Sequence, residues 1–431
     1  MERGKVGHSA MSSRRLRPRI RDCSVVVHPS SATDKPTPSG GQDVRVALVT
    51  NMLPPYRVSF YNALADRCDL TVILDTVVEF DRQWAVNYSD CRFAVKVMNS
   101  HSFVLTRHHR DAAYEEKRQL HLSEKTFFVL RGIQPDVVAS AEFGLRSSFS
   151  LAYARTKRIP FVLISEGTMR TEGWAGWKKT RIRRVLTRAA DRIWTNGSES
   201  RELLVAYGAQ TDRIDEGMTG IATRDLRDAI CSMLSKRDAL RSAMGLHGTV
   251  FLFAASLTPR KGLTNMLNAF SRIAGERRDL SLILAGGGEL DSTISEWKCN
   301  HSDIPLHAPG FLEPTGMLPL FAAADWGILP TLDDNWSLAT LEMLAAGLPQ
   351  LFSRYNGASA DLCHEGVTGY AFDPTDSDDF ARVLNLALTS PLVRLDSRAV
   401  DKVVEHYSPD AQAERAMASI QNAIDARARM S

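Results

Sequence analysis

Asp43-Val44-Arg45-Val46-Ala47-Leu48-Val49-Thr50-Asn51-Met52-Leu53-Pro54-Pro55 is the stretch on which the reading of the fold turns. Its first eight residues form an apolar run of strand length, and Asn51 with Pro54-Pro55 marks a turn. A helical pattern from Arg57 to Leu64 and a second strand pattern from Leu70 to Leu74 follow. Strand, helix and strand in that order predict a parallel sheet. Further along, strands are predicted at Val137 to Ser140, Phe161 to Ser165 and Arg192 to Thr195, with helices at Ser147 to Thr156 and Trp177 to Ala190 between them. Together they describe one doubly wound domain.

The pattern restarts at Thr249-Val250-Phe251-Leu252-Phe253-Ala254-Ala255. A helix from Asn265 to Ala274, a strand from Leu280 to Ala285, short strands near Leu306 and Trp326 to Leu329, a helix from Ala339 to Ala346, a strand from Gln350 to Ser353 and a last long helix complete a second sheet of the same kind. The polar, charge-rich segment Asp212 to His247 reads as the crossing between them. The expected class is therefore α/β, with two Rossmann-like domains at 43–220 and 221–405 and a C-terminal helix at 406–431 free to pack back on the first domain. Residues 1–42 mix Arg, Ser, Pro and Gly with few large apolar side chains. Such a segment buries too little surface to offset its ordering entropy, and reads as a disordered basic tail.

Bulk properties narrow the function. A chain of 431 residues with 44% hydrophobic and 24% charged residues is that of a globular protein of two or three domains. Lys plus Arg at 53 against Asp plus Glu at 50 gives a net charge of +3, too small to imply nucleic-acid binding. Six scattered cysteines, Cys23, Cys68, Cys91, Cys231, Cys299 and Cys363, show no CxxC pair and no metal-ligand spacing, which fits a reducing compartment. The Arg14-Arg15 pair lacks the apolar run of an export signal, since only Val25 to Val27 follows. No apolar run approaches the roughly 18 residues that would cross a bilayer.

The most informative motif is Asp333-Asp334-Asn335-Trp336-Ser337-Leu338-Ala339-Thr340-Leu341-Glu342-Met343-Leu344-Ala345-Ala346-Gly347-Leu348-Pro349. Asp334 precedes a helix that starts near Ser337 and Leu338, and Glu342 follows inside it. A helix start offers free amides and a positive dipole end to a phosphate. Two carboxylates beside that site can accept hydrogen bonds from sugar hydroxyls, so the layout suits a nucleotide sugar. Read alone, Asp334 is equally an acid at a helix start and Glu342 a solvated helix residue.

The run resembles the acid-x7-acid motif of the retaining family 4 glycosyltransferases of GT-B fold, in which both acids are normally Glu. The resemblance extends from about Val44 to Leu388 through ordered matches. Ala255-Ser256-Leu257-Thr258-Pro259-Arg260-Lys261-Gly262 is similar to the loop whose basic residues hold the donor diphosphate, with Ser256 where the family usually has Arg. Leu284-Ala285-Gly286-Gly287-Gly288-Glu289 is similar to its strand and glycine turn, and Pro309-Gly310-Phe311-Leu312 to the segment facing the nucleobase. Tyr355-Asn356-Gly357-Ala358-Ser359-Ala360-Asp361 and Glu365-Gly366-Val367-Thr368-Gly369 resemble the glycine-rich loop and turn beyond the donor helix.

The resemblance implies a GT-B fold of two Rossmann-like domains facing across a cleft, and transfer of a sugar from a nucleotide-diphosphate donor with retention, without cofactor or metal. It places Lys261, with Arg260, and the helix start at Ser337-Leu338 on the leaving phosphate. Glu342 falls on the ribose, Asp334 on the donor sugar, and Ser256, Gly287, Gly310 and Phe311 along the nucleotide. In the first domain, Glu166 in Ile164-Ser165-Glu166-Gly167-Thr168 stands where the family commonly has His, and serves either a sugar hydroxyl or the acceptor, or caps the next segment. Arg57 is a candidate for an anionic group. The expected acceptor is a glycan or lipid-linked glycan, in surface polysaccharide or glycolipid assembly. Trp174, Trp177, Lys178, Lys179, Arg181, Arg183, Arg184 and Arg188, with Ile182, Val185 and Leu186 between them, make a basic amphipathic stretch suited to an anionic membrane surface, or else a solvated helix face with tryptophans in the core. The expected location is cytoplasmic, at the inner face of the cell membrane. Two rival readings are a nucleotide-sugar epimerase of the same fold and a non-catalytic GT-B scaffold subunit, the latter suggested by Asp334 and Ser256.

Overall fold

A computed structural model of the protein describes residues 26–27, 44–80, 86–108, 115–173, 175–274, 279–390, 394–395 and 397–429. Of the expected disordered tail 1–42 only Val26–Val27 is described, and there the expectation is corrected, since the pair joins a sheet edge antiparallel to Val95 and Lys96. The remainder of that segment lies outside the described residues, as do Cys23 and Trp174.

The first sheet is built outward from Arg45–Thr50. Asp69–Leu74 and Ala94–Val97 lie to one side, and Val137–Ala141, Phe161–Ile164, Arg192–Trp194 and Ile214–Asp215 to the other. All these strands run parallel. Residues 46–50 are buried, because helices cover both faces of the sheet, which is why the run reads as continuously apolar. The second sheet repeats the order around Thr249–Ala254, with Leu280–Ala285 and Leu306–Gly310 on one side and Trp326–Leu329, Gln350–Ser353 and Gly369–Phe372 on the other, again parallel. Its two faces alternate strictly. Phe251, Phe253, Leu282 and Leu284 pack with Leu267 and Phe270 of the helix Leu263–Ala274. Val250, Leu252, Ala254 and Ile283 pack instead with Ile230, Leu320 and Phe321 from helices on the opposite face.

In each sheet the strand order reverses beside the first strand, and such a reversal opens a ligand crevice at the carboxyl ends of the strands. The two sets of carboxyl ends face each other. Loops that follow strands of the first sheet touch loops that follow strands of the second at Arg170–Leu332 and Ser198–Asp361.

The expectation that 212–247 is the crossing is corrected. Ile214–Asp215 closes the first sheet, while the helices Thr223–Met233 and Arg237–Met244 cover the second, with Ile230 and Leu246 in its core. The segment reads as a polar linker because these are outer helices; Arg237 and Arg241 both pair with the carboxylate of Asp325. The crossing itself is 216–222. The chain returns through Tyr407 and Ser408 to the helix Pro409–Ala428, which sets Ala413, Ala416 and Ile420 into the first-lobe core with Phe60 and Leu64 of the helix Pro55–Ala65. There the indole of Trp194 donates to Ser419 Oγ at 2.8 Å. A two-stranded ribbon, Ser102–His108 with Glu115–His121, projects from the carboxyl edge of the first sheet.

Candidate active site

The loop between Trp326–Leu329 and the helix Leu338–Ala345 carries Asp334 at the crevice. Its backbone is fixed from both sides. The Asp334 amide donates to Tyr355 O at 3.0 Å, and its carbonyl accepts from the Gly357 amide at 3.2 Å. The Asn356 side chain accepts from the Ser337 amide at 3.1 Å and donates to Thr340 Oγ1 at 2.9 Å, so it sets the angle at which the helix begins. Ser337 is the residue before that helix. The first amides of any helix lack an intrahelical acceptor, and here they open beside Asp334.

Lys261 reaches Asp334 Oδ2 at 2.5 Å, and Arg260 stands 3.7 Å from Oδ1 while donating to Asp333 O at 2.8 Å. Burial works to raise the Asp334 pKa, yet the charges of Lys261 and then Arg260 prevail and hold it below the usual carboxylate range. The loop supplying both cations is tied to the acid-bearing loop, since Leu332 N donates to Arg260 O at 2.8 Å. Gly262 closes the turn at φ +70°, where a Cβ would lie 1.9 Å from Pro330 O; only glycine permits that approach. Asp334 is thus the ion-pair partner of the basic loop rather than a helix cap. Glu342, one turn beyond Leu338 on the same helix, is half-buried, and loss of hydration pushes its carboxyl up to about 7. The reading of Glu342 as a solvated helix residue is therefore corrected.

Ser256, Gly287, Gly310 and Phe311 lie at the carboxyl ends of three adjacent strands of the same sheet. Gly286 N donates to Gly310 O at 2.9 Å, and Leu257 N to Gly287 O at 3.1 Å. Ser256 and Phe311 are exposed there. No hydrogen bond links this patch to Asp334 among the described residues; they share the sheet edge, one strand position apart.

In the first lobe Glu166 pairs with Arg57, whose other Nη donates to Met218 O at 2.7 Å. Burial pulls the guanidinium pKa down, but Glu166 overrides it and the net shift is upward. Arg57, read as a candidate for an anionic group, thus meets the Glu166 carboxylate and a backbone carbonyl within the protein. The capping reading of Glu166 is corrected too: the Thr168 side chain caps the helix Met169–Glu172. Sequence reasoning missed the groups flanking this pair. Asn51 donates to Glu79 Oε1 at 2.7 Å and His121 Nε2 lies 3.0 Å from the same atom, which joins the first strand's loop to the ribbon. Glu142, exposed to the crevice just past Val137–Ala141, has φ +65°.

The five described cysteines are free thiols. No described helix is long and apolar enough to cross a membrane, and no group of three or more His, Cys, Asp or Glu among the described residues could hold a metal ion. On the helix Trp177–Ala189, Trp177, Ile182 and Val185 face solvent beside the exposed Lys178, Lys179, Arg181, Arg184 and Arg188, so Trp177 is not a core residue. Arg183 turns inward to Glu172 and to Tyr207 Oη at 3.1 Å, and Leu186 is buried.

Two lobes with order-reversing parallel sheets whose carboxyl ends meet define the GT-B class of architecture. Residues 248–390 match the family model described as Glycosyl transferases group 1. A D-inositol 3-phosphate glycosyltransferase of Pseudarthrobacter chlorophenolicus is 28% identical over 222 residues, 49% of this chain and 51% of the relative. A lipopolysaccharide 1,2-N-acetylglucosaminetransferase of Salmonella typhimurium is 25% identical over 229 residues, 49% of this chain and 59% of the relative. The chain thus spans about half the length of the curated relatives it matches. Anabaena HepE in complex with UDP superposes with a TM-score of 0.68 at 16% identity, covering 88% of this chain and 100% of that one. Sucrose-phosphate synthase from Thermosynechococcus elongatus gives 0.65 at 12% identity over 89% and 100%.

Proposed function

We propose that the protein is a retaining glycosyltransferase that moves a sugar from a nucleotide-diphosphate donor to a glycan or lipid-linked acceptor, in surface polysaccharide or glycolipid assembly. The observation that carries this reading is the Lys261–Asp334–Arg260 cluster set directly before an open helix start. As the bond from the anomeric carbon to the diphosphate breaks, the departing oxygen gains negative charge. Cations and amides already aimed at it lower that barrier. Lys261 and Arg260 supply the cations, and the helix start at Leu338 supplies the amides, the Ser337 amide being held by Asn356. Asp334 keeps Lys261 in place and accepts from a donor-sugar hydroxyl; Glu342 accepts from the ribose. Glu166, held by Arg57, meets the sugar or acceptor from the facing lobe. No metal or other cofactor takes part in this scheme. The acceptor-side lobe rests on the inner face of an anionic membrane through the helix Trp177–Ala189.

The test is a panel of UDP-, GDP- and ADP-sugars with lipid and glycan acceptors, run with and without EDTA, with the anomeric configuration of the product read by NMR. Transfer with retention, insensitive to EDTA, is expected for one base. Lys261→Ala should lower kcat/KM by about 100 to 1,000-fold while the thermal transition stays in place. Turnover near that of the unaltered protein would remove Lys261 from the site, and free nucleotide released equally fast without acceptor would favour an epimerase.

A further inference from the structure

The loop that carries Asp334 is held by the opposite lobe at both of its ends. At the start, Arg170 Nε donates to Leu332 O at 3.1 Å, and the Arg170 guanidinium lies 3.6 Å over the Tyr355 ring. That ring is a fixed platform, because Tyr355 Oη donates to Asp373 Oδ2 at 2.6 Å. At the far end, the buried Trp336 donates its indole N–H to Asp361 Oδ2 at 2.9 Å, while Asp361 Oδ1 accepts the backbone amide of Ser198 at 3.2 Å. One carboxylate therefore bridges the donor loop of the second lobe and the first turn of the helix Ser198–Ala206 in the first.

The approach is close enough to dictate residue choice. A Cβ at Gly197 would lie 1.8 Å from Asp361 Oδ2, and a Cβ at Gly357 would lie 2.0 Å from Asn335 O and 3.3 Å from Thr168 Cγ2 of the other lobe. Arg170 and Thr168 belong to the same short stretch as Glu166, so one segment of the first lobe both enters the site and grips the donor loop.

We propose that Asp361 and Arg170 are positioning residues that couple the approach of the two lobes to the shape of the Asp334 loop. When the lobes part, both ends of residues 332–336 lose their anchors; when they meet, the loop is set with Asp334 against Lys261. This inference rests on the functional reading above. The groups that would bind a nucleotide, Lys261, the helix start and Glu342, all belong to the second lobe. Asp361 and Arg170 touch none of these groups directly, and consequently act more on turnover than on nucleotide affinity.

The experiment compares the full chain with Asp361→Ala, Asp361→Asn and Arg170→Ala by amide hydrogen exchange, by calorimetric titration with UDP, GDP and ADP, and by steady-state kinetics on the active donor. Exchange at 332–338 and at Ser198 should rise by at least about ten-fold in Asp361→Ala, with Thr249–Ala254 unchanged. Nucleotide affinity should stay within about three-fold, while kcat falls by roughly 10 to 100-fold at near-constant donor KM, since a small misplacement of a reacting group has an effect of that order. Asp361→Asn keeps a carbonyl acceptor and should recover part of the loss. Arg170 is exposed, so its alanine variant folds even if Asp361→Ala does not, and it should show the same split. Unchanged exchange in the loop, or nucleotide affinity falling in step with kcat, would overturn the proposal. If no nucleotide binds the unaltered protein, the functional reading fails, and the exchange data still decide whether the lobes anchor the loop.

Discussion

The Glu342 carboxyl, raised by burial to about 7 from 4.5, ties the stability of the fold to protons. Between those two values the folded chain holds a proton that the unfolded chain has lost, so this group's contribution to stability falls as pH rises through the window. Glu342→Gln, which removes the desolvated charge, should be more stable than the unaltered protein at pH 8 by on the order of 1–3 kcal/mol, measured by urea unfolding. Ribose hydroxyls favour the charged form by donating to it, so nucleotide binding near neutrality should release about half a proton, read by calorimetry in buffers of different ionisation enthalpy. Binding without proton release, and with equal affinity in the Gln variant, would take Glu342 out of the site. The grouping of Asp334 with Arg260 and Lys261 was legible because Asp334, Ser337, Leu338 and Glu342 are neighbours in sequence and Arg260-Lys261 closes a strand-end loop of the same sheet. The Arg57–Glu166 pairing was not legible, since its partners are 109 residues apart and nothing local to either names the other.

Elements with one buried face announced themselves, and elements without one did not. Thr249–Ala254 was plain from its run of Val, Phe and Leu because both of its faces are covered. The ribbon of Ser102–His108 and Glu115–His121 stayed hidden: Phe103, Val104, Leu105 and Leu120 are exposed, so no inside-outside alternation marks its strands. The helix Trp177–Ala189 was predicted to within a residue, yet only the structure shows its Trp, Ile and Val turned outward among the basic groups. Each Lys or Arg near an anionic surface contributes about 1 kcal/mol. Reversing Lys178, Arg181 and Arg184 to Glu should therefore reduce binding to phosphatidylglycerol vesicles by at least about 100-fold in a sedimentation assay, with no change in nucleotide affinity. Equal sedimentation of the two proteins would place the helix in solvent.

At the level of the molecule, periodicity gave two Rossmann units and their order along the chain, because each strand and helix is a local pattern. The true position of the crossing, 216–222, was obscured by the exposed outer helices that follow it. The closing helix Pro409–Ala428 fills a gap in the first lobe that its own sheet leaves open. Ile420 is fully buried there, and Ile420→Ala should cost about 2–5 kcal/mol in urea unfolding followed by circular dichroism. A loss under about 0.5 kcal/mol would mean that the helix is only loosely seated.

That returning helix also fixes an order of events in synthesis. A ribosome makes residues 44–215, then the whole of the second lobe, before it makes Ala413, Ala416 and Ile420. The first lobe must therefore wait with an apolar gap beside Phe60 and Trp194 while its neighbour folds, and it is sealed only by the segment that emerges after everything else in the core.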